Sequence, residues 1–254
     1  MPAYTVYWQP GCTSCLKAKE FLRTHGIEFE SVNVRVDRDA FERLVRLGVR
    51  TVPVIARGED YVLGQDLDEV ARFVGVTVHH VRLSVPVLVA RLLALLDWSA
   101  QAMERLPAAM LATRLPGRER THLDLAYHVP QIVVGWLDAA LGGRLTYEHY
   151  ERTPPEHVRT GADVARLTRS VAQALAVWWT ANQARLPAQL DTYYGTRPLH
   201  AVLERTAWHV AQHARQLDLV LGRSGVSGHV PLPAALLADL PLPTDAWDAE
   251  VPMS

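Results

Sequence analysis

Tyr4-Thr5-Val6-Tyr7-Trp8-Gln9-Pro10-Gly11-Cys12-Thr13-Ser14-Cys15-Leu16-Lys17-Ala18-Lys19-Glu20-Phe21-Leu22 joins two kinds of periodicity through a Pro-Gly turn. Tyr4 to Trp8 is β-branched and aromatic and reads as a short strand. From Ser14 onward Leu16, Ala18, Phe21 and Leu22 have helical spacing. Cys12 is therefore expected at a strand-to-helix junction, near a helix N-terminus. Unpaired backbone N–H groups and the helix dipole favour a thiolate there. Cys15, one turn further, is placed to resolve a mixed disulfide. These are the only cysteines, which excludes a disulfide scaffold of the secreted type. A structural zinc site would need two more ligands close by, and His25 lies beyond the helix without a partner. The context favours a redox dithiol. Of the 26 basic residues only Lys17 and Lys19 are lysines. Both are expected on a solvated helix face, adding at most a weak field that favours the thiolate.

The segment that follows completes a small α/β unit. Gly26 to Val34 alternates like a strand, and Asp39 to Leu47 reads as a helix. Thr51-Val52-Pro53-Val54-Ile55 reads as a strand whose Val-Pro bond can be cis. Asp66 can cap a last helix from Leu67 to Phe73. The order β-α-β-α-β-β-α matches the thioredoxin fold. Residues 1–76 resemble a glutaredoxin, or the glutaredoxin-like class that reduces ribonucleotide reductase. The resemblance rests on Cys12-Thr13-Ser14-Cys15-Leu16-Lys17-Ala18-Lys19, Thr51-Val52-Pro53 and Gly64-Gln65-Asp66. It implies Cys12 as nucleophile, Cys15 as resolving thiol and a cis bond before Pro53. It also implies a small-thiol site along Thr51, Val52, Pro53, Gly64 and Asp66. Two features depart from the family: Thr13-Ser14 replaces its usual Pro-Tyr, and the turn at Gly64 lacks paired glycines and paired aspartates. The reductant stays open between glutathione, another low-molecular-weight thiol and thioredoxin reductase.

After a linker at 77–84 the texture changes to long helical periods, with helices expected over about 86–106, 121–141, 162–184 and 199–221. Four such helices with apolar stripes make an up-down four-helix bundle over 85–235. The connection from Gly142 to Gly161, with Pro154-Pro155, is long enough for a flap or a crossover. The Pro- and Leu-rich tail, with 236–254 as a separate irregular segment, is expected to wrap over the bundle. His209 and His213 are spaced i and i+4 within the otherwise apolar stripe Val202, Thr206, His209, His213, Leu217, Val220. A second stripe, Leu125, His128, Ile132, Trp136, Ala139, carries His128 in register, with Pro130 close by as a point of kinking. Imidazoles on a core seam cost roughly a few kcal/mol each without partners, and a metal removes that cost. Two histidines one turn apart and one from a facing helix suit a catalytic three-histidine site with open positions. His122 is an alternative ligand on another face. His25, His79, His80, His149, His157, His200 and His229 receive no role.

Leu123 to Pro130 and Leu199 to Leu217 resemble the DinB/YfiT-like family of metal-binding four-helix bundles. The resemblance implies His128, His209 and His213 as ligands of zinc first, nickel or iron otherwise. It also implies chemistry with a low-molecular-weight thiol, glutathione or bacillithiol-like. The function expected is a glutaredoxin-like thiol–disulfide oxidoreductase fused to a metal-dependent thiol transferase. A non-catalytic metal-stabilised docking module and a metal-dependent hydrolase with Asp124 near the site are the alternatives. Expected partners are small thiols and disulfides or a protein disulfide, and the dimers common in the family leave a homodimer open.

The formal net charge of -1 argues against binding nucleic acid through its backbone. The most apolar run, Val85 to Leu96, is broken by Arg91, and Met1 to Thr5 lacks the order of a signal peptide, so a soluble cytoplasmic protein is expected.

Overall fold

The computed structural model describes residues 3–78, 81–115, 119–248 and 250. His79 and His80, with that part of the linker, lie outside them. The chain divides into two compact units, residues 1–81 with 243–254, and residues 82–242.

The first unit runs β1 (Tyr4–Trp8), α1 (Thr13–Thr24), β2 (Phe29–Asn33), α2 (Arg38–Arg46), β3 (Val54–Arg57), β4 (Asp60–Leu63) and α3 (Leu67–Val74). The sheet order is β2-β1-β3-β4, with β1 parallel to β2 and β3 antiparallel to both of its neighbours. Strand alternation splits the core in two. Val6 and Ile55 pack with Ala18 and Leu22 of α1 and with Val70 and Val74 of α3. Tyr7, Val54 and Ala56 pack instead with Ala40 and Leu44 of α2. Each fully buried aliphatic side chain contributes roughly 1.5–3 kcal/mol. This is the thioredoxin-like order expected from the sequence, with one shift. β3 starts at Val54 rather than Thr51, because proline has no N–H for the ladder; the Val52–Pro53 bond is cis.

The second unit is largely helical: α4 (Val85–Glu104), α5 (Ala108–Leu111), α6 (His122–Ala140), α7 (Glu148–Glu151), α8 (Gly161–Asn182) and α9 (Leu199–Arg223). A hairpin of β5 (Gln189–Thr192) and β6 (Gly195–Pro198) precedes α9. The four long helices share one core, α4 and α6 each packing on both α8 and α9. Their starts are chemically marked. Thr121 and Asp124 form a capping box on α6, and Thr160 and Asp163 form another on α8. Gly161 opens α8 where a Cβ would overlap the carbonyl oxygen of Met103, so no larger residue allows this approach to α4. Pro130 lies inside α6, which continues through it. By length and composition α4 is apolar enough to cross a bilayer, despite Arg91, and half of its most apolar window is buried in the fold. Its apolar face is core: Leu88, Leu92, Leu95 and Leu96 are fully buried.

Residues beyond α9 stay with the helical unit as far as 242, where Trp98 Nε1 donates to the Val230 carbonyl and Arg91 to that of Ala238. The segment 243–250 belongs with the first unit instead, and it corrects the reading of Lys19. That side chain is not solvated but 0% exposed, with Nζ 2.6 Å from Asp248 and 3.1 Å from Glu250. Nζ also lies 3.7 Å from the centre of the Trp8 ring. Removing one member of a buried ion pair strands the other. Lys19→Ala is therefore expected to destabilise the first unit by about 3 kcal/mol in denaturant unfolding. A change below about 1 kcal/mol, the size of an exposed pair, contradicts this anchoring.

Candidate functional site

Each unit carries one constellation. In the first, Cys12 is the N-cap of α1, and its Sγ accepts a hydrogen bond from Cys15 N at 3.1 Å. The two sulfurs are joined as a disulfide. Cys15 is fully buried and Cys12 partly exposed, so an incoming thiol or disulfide meets Cys12 first. Cys12 Sγ lies 3.9 Å from the carbonyl oxygen of Val52, which brings the cis Val52–Pro53 segment against the dithiol.

The neighbouring turn is built around that segment. Gly64 N donates to Pro53 O at 2.9 Å, and a Cβ on Gly64 would lie 2.7 Å from Pro53 Cγ and 2.9 Å from Ile55 Cδ1. Gln65, given no role by the sequence, is buried and donates to Val52 O at 3.0 Å and to Thr51 Oγ1 at 3.3 Å. It holds the loop that faces Cys12. Asp66 caps α3, its carboxylate accepting from Asp68 N at 3.0 Å and Glu69 N at 3.4 Å. Thr51, Val52, Pro53, Gly64 and Asp66 thus belong to one connected turn beside the cysteines.

In the second unit, α6 supplies His128 and α9 supplies His209 and His213. All three are buried, and one ring nitrogen from each lies within 4.8 Å of the others. Ring centres are 4.7 Å apart for His128–His213, 5.0 Å for His209–His213 and 5.4 Å for His128–His209. His122 is elsewhere, its Nδ1 within 3.0 Å of both Thr113 Oγ1 and Thr113 O. Asp124 is occupied by the α6 cap: one of its oxygens accepts from Thr121 N at 2.9 Å and Thr121 Oγ1 at 2.7 Å.

The donor set suits a metal ion. Burial holds His128 and His209 well below the usual histidine range, with nearby imidazoles and arginines adding to the effect. Burial, then Arg120, brings His213 down to about 3. All three rings are therefore neutral at pH 7, the form that ligates. His213 Nδ1 donates to Gln216 Oε1 at 2.7 Å, which leaves Nε2 with a lone pair directed elsewhere. That Nε2, and Nδ1 of His209, are buried without a hydrogen-bond partner. Unpartnered nitrogens in an apolar interior are costly, and a cation at the centre would satisfy them.

Around the rings lies a shell the sequence did not announce. Tyr150 of α7 packs edge-on against His128 and His209, with ring centres 5.8 and 5.2 Å away. Arg205, one turn before His209, is buried and donates to the hydroxyls of Tyr150 at 2.9 Å and Tyr193 at 3.1 Å. Burial raises the Tyr193 hydroxyl pKa, so it stays neutral. Only Arg205 and Gln216, at helical spacing from His209 and His213, were within reach of periodicity. A pocket of about 150 Å³ leads to His128 between Arg120, Asp124 and Tyr150.

The fold and dithiol of the first unit define a thioredoxin-like thiol–disulfide redox protein. A glutaredoxin family profile matches residues 4–62. The glutaredoxin-like protein NrdH of Salmonella typhimurium is 36% identical over 55 residues, which are 22% of this chain and 68% of that protein. The NrdH protein of Lactococcus lactis subsp. lactis is 29% identical over 68 residues, 27% of this chain and 94% of that protein. A solved thioredoxin-like protein matches 30% of this chain and all of its own at 26% identity, with a TM-score of 0.29. Through its first unit the chain belongs to the glutaredoxin-like family of thiol–disulfide oxidoreductases.

The contact of Gly64 with Pro53 gives a direct check. Gly64→Ala is expected to cost about 1–3 kcal/mol of stability through overpacking against Pro53 and Ile55. An unfolding midpoint equal to that of the unaltered protein contradicts this packing.

Proposed function

We propose that the chain combines a glutaredoxin-like disulfide reductase with a DinB-like metal site that works on a low-molecular-weight thiol. The reductase reading rests on Cys12 at the α1 N-cap with Cys15 bonded to it. The reduced Cys12 thiolate attacks a substrate disulfide, forming a Cys12 mixed disulfide and expelling one thiolate, which takes up a proton. The Cys15 thiolate then attacks Cys12 Sγ, closes the Cys12–Cys15 disulfide and releases the second thiol. Two electrons pass from the dithiol to the substrate, and a small thiol or a reductase returns them. Thr51, Val52, Pro53, Gly64 and Asp66 form the groove for that small thiol, with Gln65 holding its Val52 edge.

The metal reading rests on one observation: three neutral, buried imidazoles converge, and two of them, His209 and His213, carry a nitrogen without a hydrogen-bond partner. His128, His209 and His213 would hold zinc, or nickel or iron. A bound divalent ion lowers the pKa of a coordinated thiol and presents it as a nucleophile at neutral pH. Gln216 fixes the His213 tautomer, Tyr150 shields His128 and His209, and Arg205 locks Tyr150 in place. The reaction we assign to this arrangement is substitution, in which the thiolate sulfur would bond to an electrophilic carbon as that carbon's bond to its leaving group breaks, the thiol proton passing to solvent. A purely structural metal would call for a fourth protein ligand. Among the described residues the cluster contains three, which favours the catalytic reading over a docking module. Hydrolysis would need a free base, and the Asp124 oxygen facing Thr121 is already engaged in the cap.

Two variants separate the activities. Cys12→Ser is expected to abolish disulfide reduction in a coupled thiol assay while leaving metal content unchanged; retained reductase activity contradicts the role of Cys12. His209→Ala is expected to lower metal stoichiometry, measured by elemental mass spectrometry, at least tenfold while reductase activity persists. Unaltered stoichiometry contradicts the three-histidine site.

A further inference from the structure

We propose that Arg120 recognises a carboxylate on the molecule that enters the histidine site, so that the thiol used there is an anionic, carboxylate-bearing one. The inference deepens the metal-site reading and rests on it. The described metal-binding cluster is made of imidazoles alone, so a divalent ion there would keep its full positive charge. Arg120 lines the same pocket as His128, and its charge is felt by all three histidines. A ligand reaching His128 therefore passes a guanidinium.

That guanidinium is underused. Among the described residues its one hydrogen bond is to the carbonyl of Tyr150, at 3.4 Å, and no carboxylate lies within ion-pair distance. Asp124 and Glu151 help to keep it charged against the effect of burial, but at longer range. A guanidinium has five N–H donors in a fork that matches a carboxylate. Arg205, one turn before His209, is committed to tyrosine hydroxyls. Arg152, on the same pocket wall, donates to Gln131 Oε1 at 3.3 Å, and Glu119, Asp124 and Glu151 also line the pocket. Arg120, half-buried beside His128 with one long hydrogen bond, is the guanidinium placed to take a carboxylate whose thiol sulfur points toward the histidines.

The test uses the full chain loaded with cobalt(II), whose absorption bands report the histidine site and shift when a thiolate binds. Two probes of equal length are titrated, 3-mercaptopropionate and propanethiol. The unaltered protein is expected to bind 3-mercaptopropionate at least about tenfold more tightly, the worth of a charge-assisted hydrogen bond. Arg120→Gln is expected to reduce that preference at least fivefold with propanethiol affinity unchanged. Equal affinities in the unaltered protein, or a preference that persists undiminished in Arg120→Gln, overturn the proposal while leaving the metal site intact. If Arg120→Gln does not take up cobalt, Arg120→Met, which also removes the charge, replaces it, and an undiminished preference there is again contrary. Failure of the unaltered protein to bind cobalt at the histidines overturns the metal reading and this inference together.

Discussion

Placing imidazole rings inside a helical core costs free energy unless something other than hydrocarbon meets their nitrogens. In this protein three such rings meet one another, and the rest of the second unit is arranged around that fact. α9 brings His209 and His213 to the core one turn apart, and α6 brings His128 to face them. The polar groups nearby are assigned in pairs: Gln216 to His213, Arg205 to Tyr150 and Tyr193, Thr121 to Asp124. The ring nitrogens left unpartnered, on His209 and His213, belong to this cluster. Pairing Gln216 with His213 and Arg205 with Tyr150 fixes the surroundings of the rings, which would reduce reorganisation if an ion bound there.

The first unit solves a different problem with the same economy of parts. Cys12 occupies an N-cap, a position that normally receives Ser, Thr, Asp or Asn. Sulfur there accepts from Cys15 N as an oxygen would, so the residue that starts the helix also carries the more exposed sulfur of the dithiol. The cis Val52–Pro53 turn lies beside it because Gly64 lets the next turn close over the proline ring, and Gln65 ties down the carbonyl that faces the sulfur. Under the proposed function both constellations would act on thiols, the first by nucleophilic sulfur and the second by a cation's pull on a sulfur ligand.

Local pattern carried the elements whose signals are strong and close in sequence. The strand-turn-helix around Cys12, the four long helices and the alignment of His128 with the pair on α9 were all legible from period and spacing. What escaped depends on residues far apart. Lys19 reads as a surface lysine until residues 248 and 250 cover it. Nothing around Tyr150 marks it as a partner of His128, His209 and Arg205. The β5–β6 hairpin is four residues per strand and mostly polar, and it owes its position to Leu190, Thr192 and Tyr194 being buried against helices. Thr51 to Pro53 has strand composition, yet the strand begins only at Val54, after the proline that cannot donate to the ladder. Asp124, one turn before His128, lines the pocket there as its spacing suggested, while one of its oxygens serves the capping box that spacing alone did not show.

The whole account of the larger unit stands on imidazole ligation, and X-ray absorption at the metal edge of the purified chain measures that directly. The account predicts a first shell containing three histidine nitrogens at about 2.0–2.1 Å for zinc, with the remaining position filled by a light atom or an added thiol sulfur. A shell without histidine scattering, or one built on the cysteine sulfurs, would contradict it.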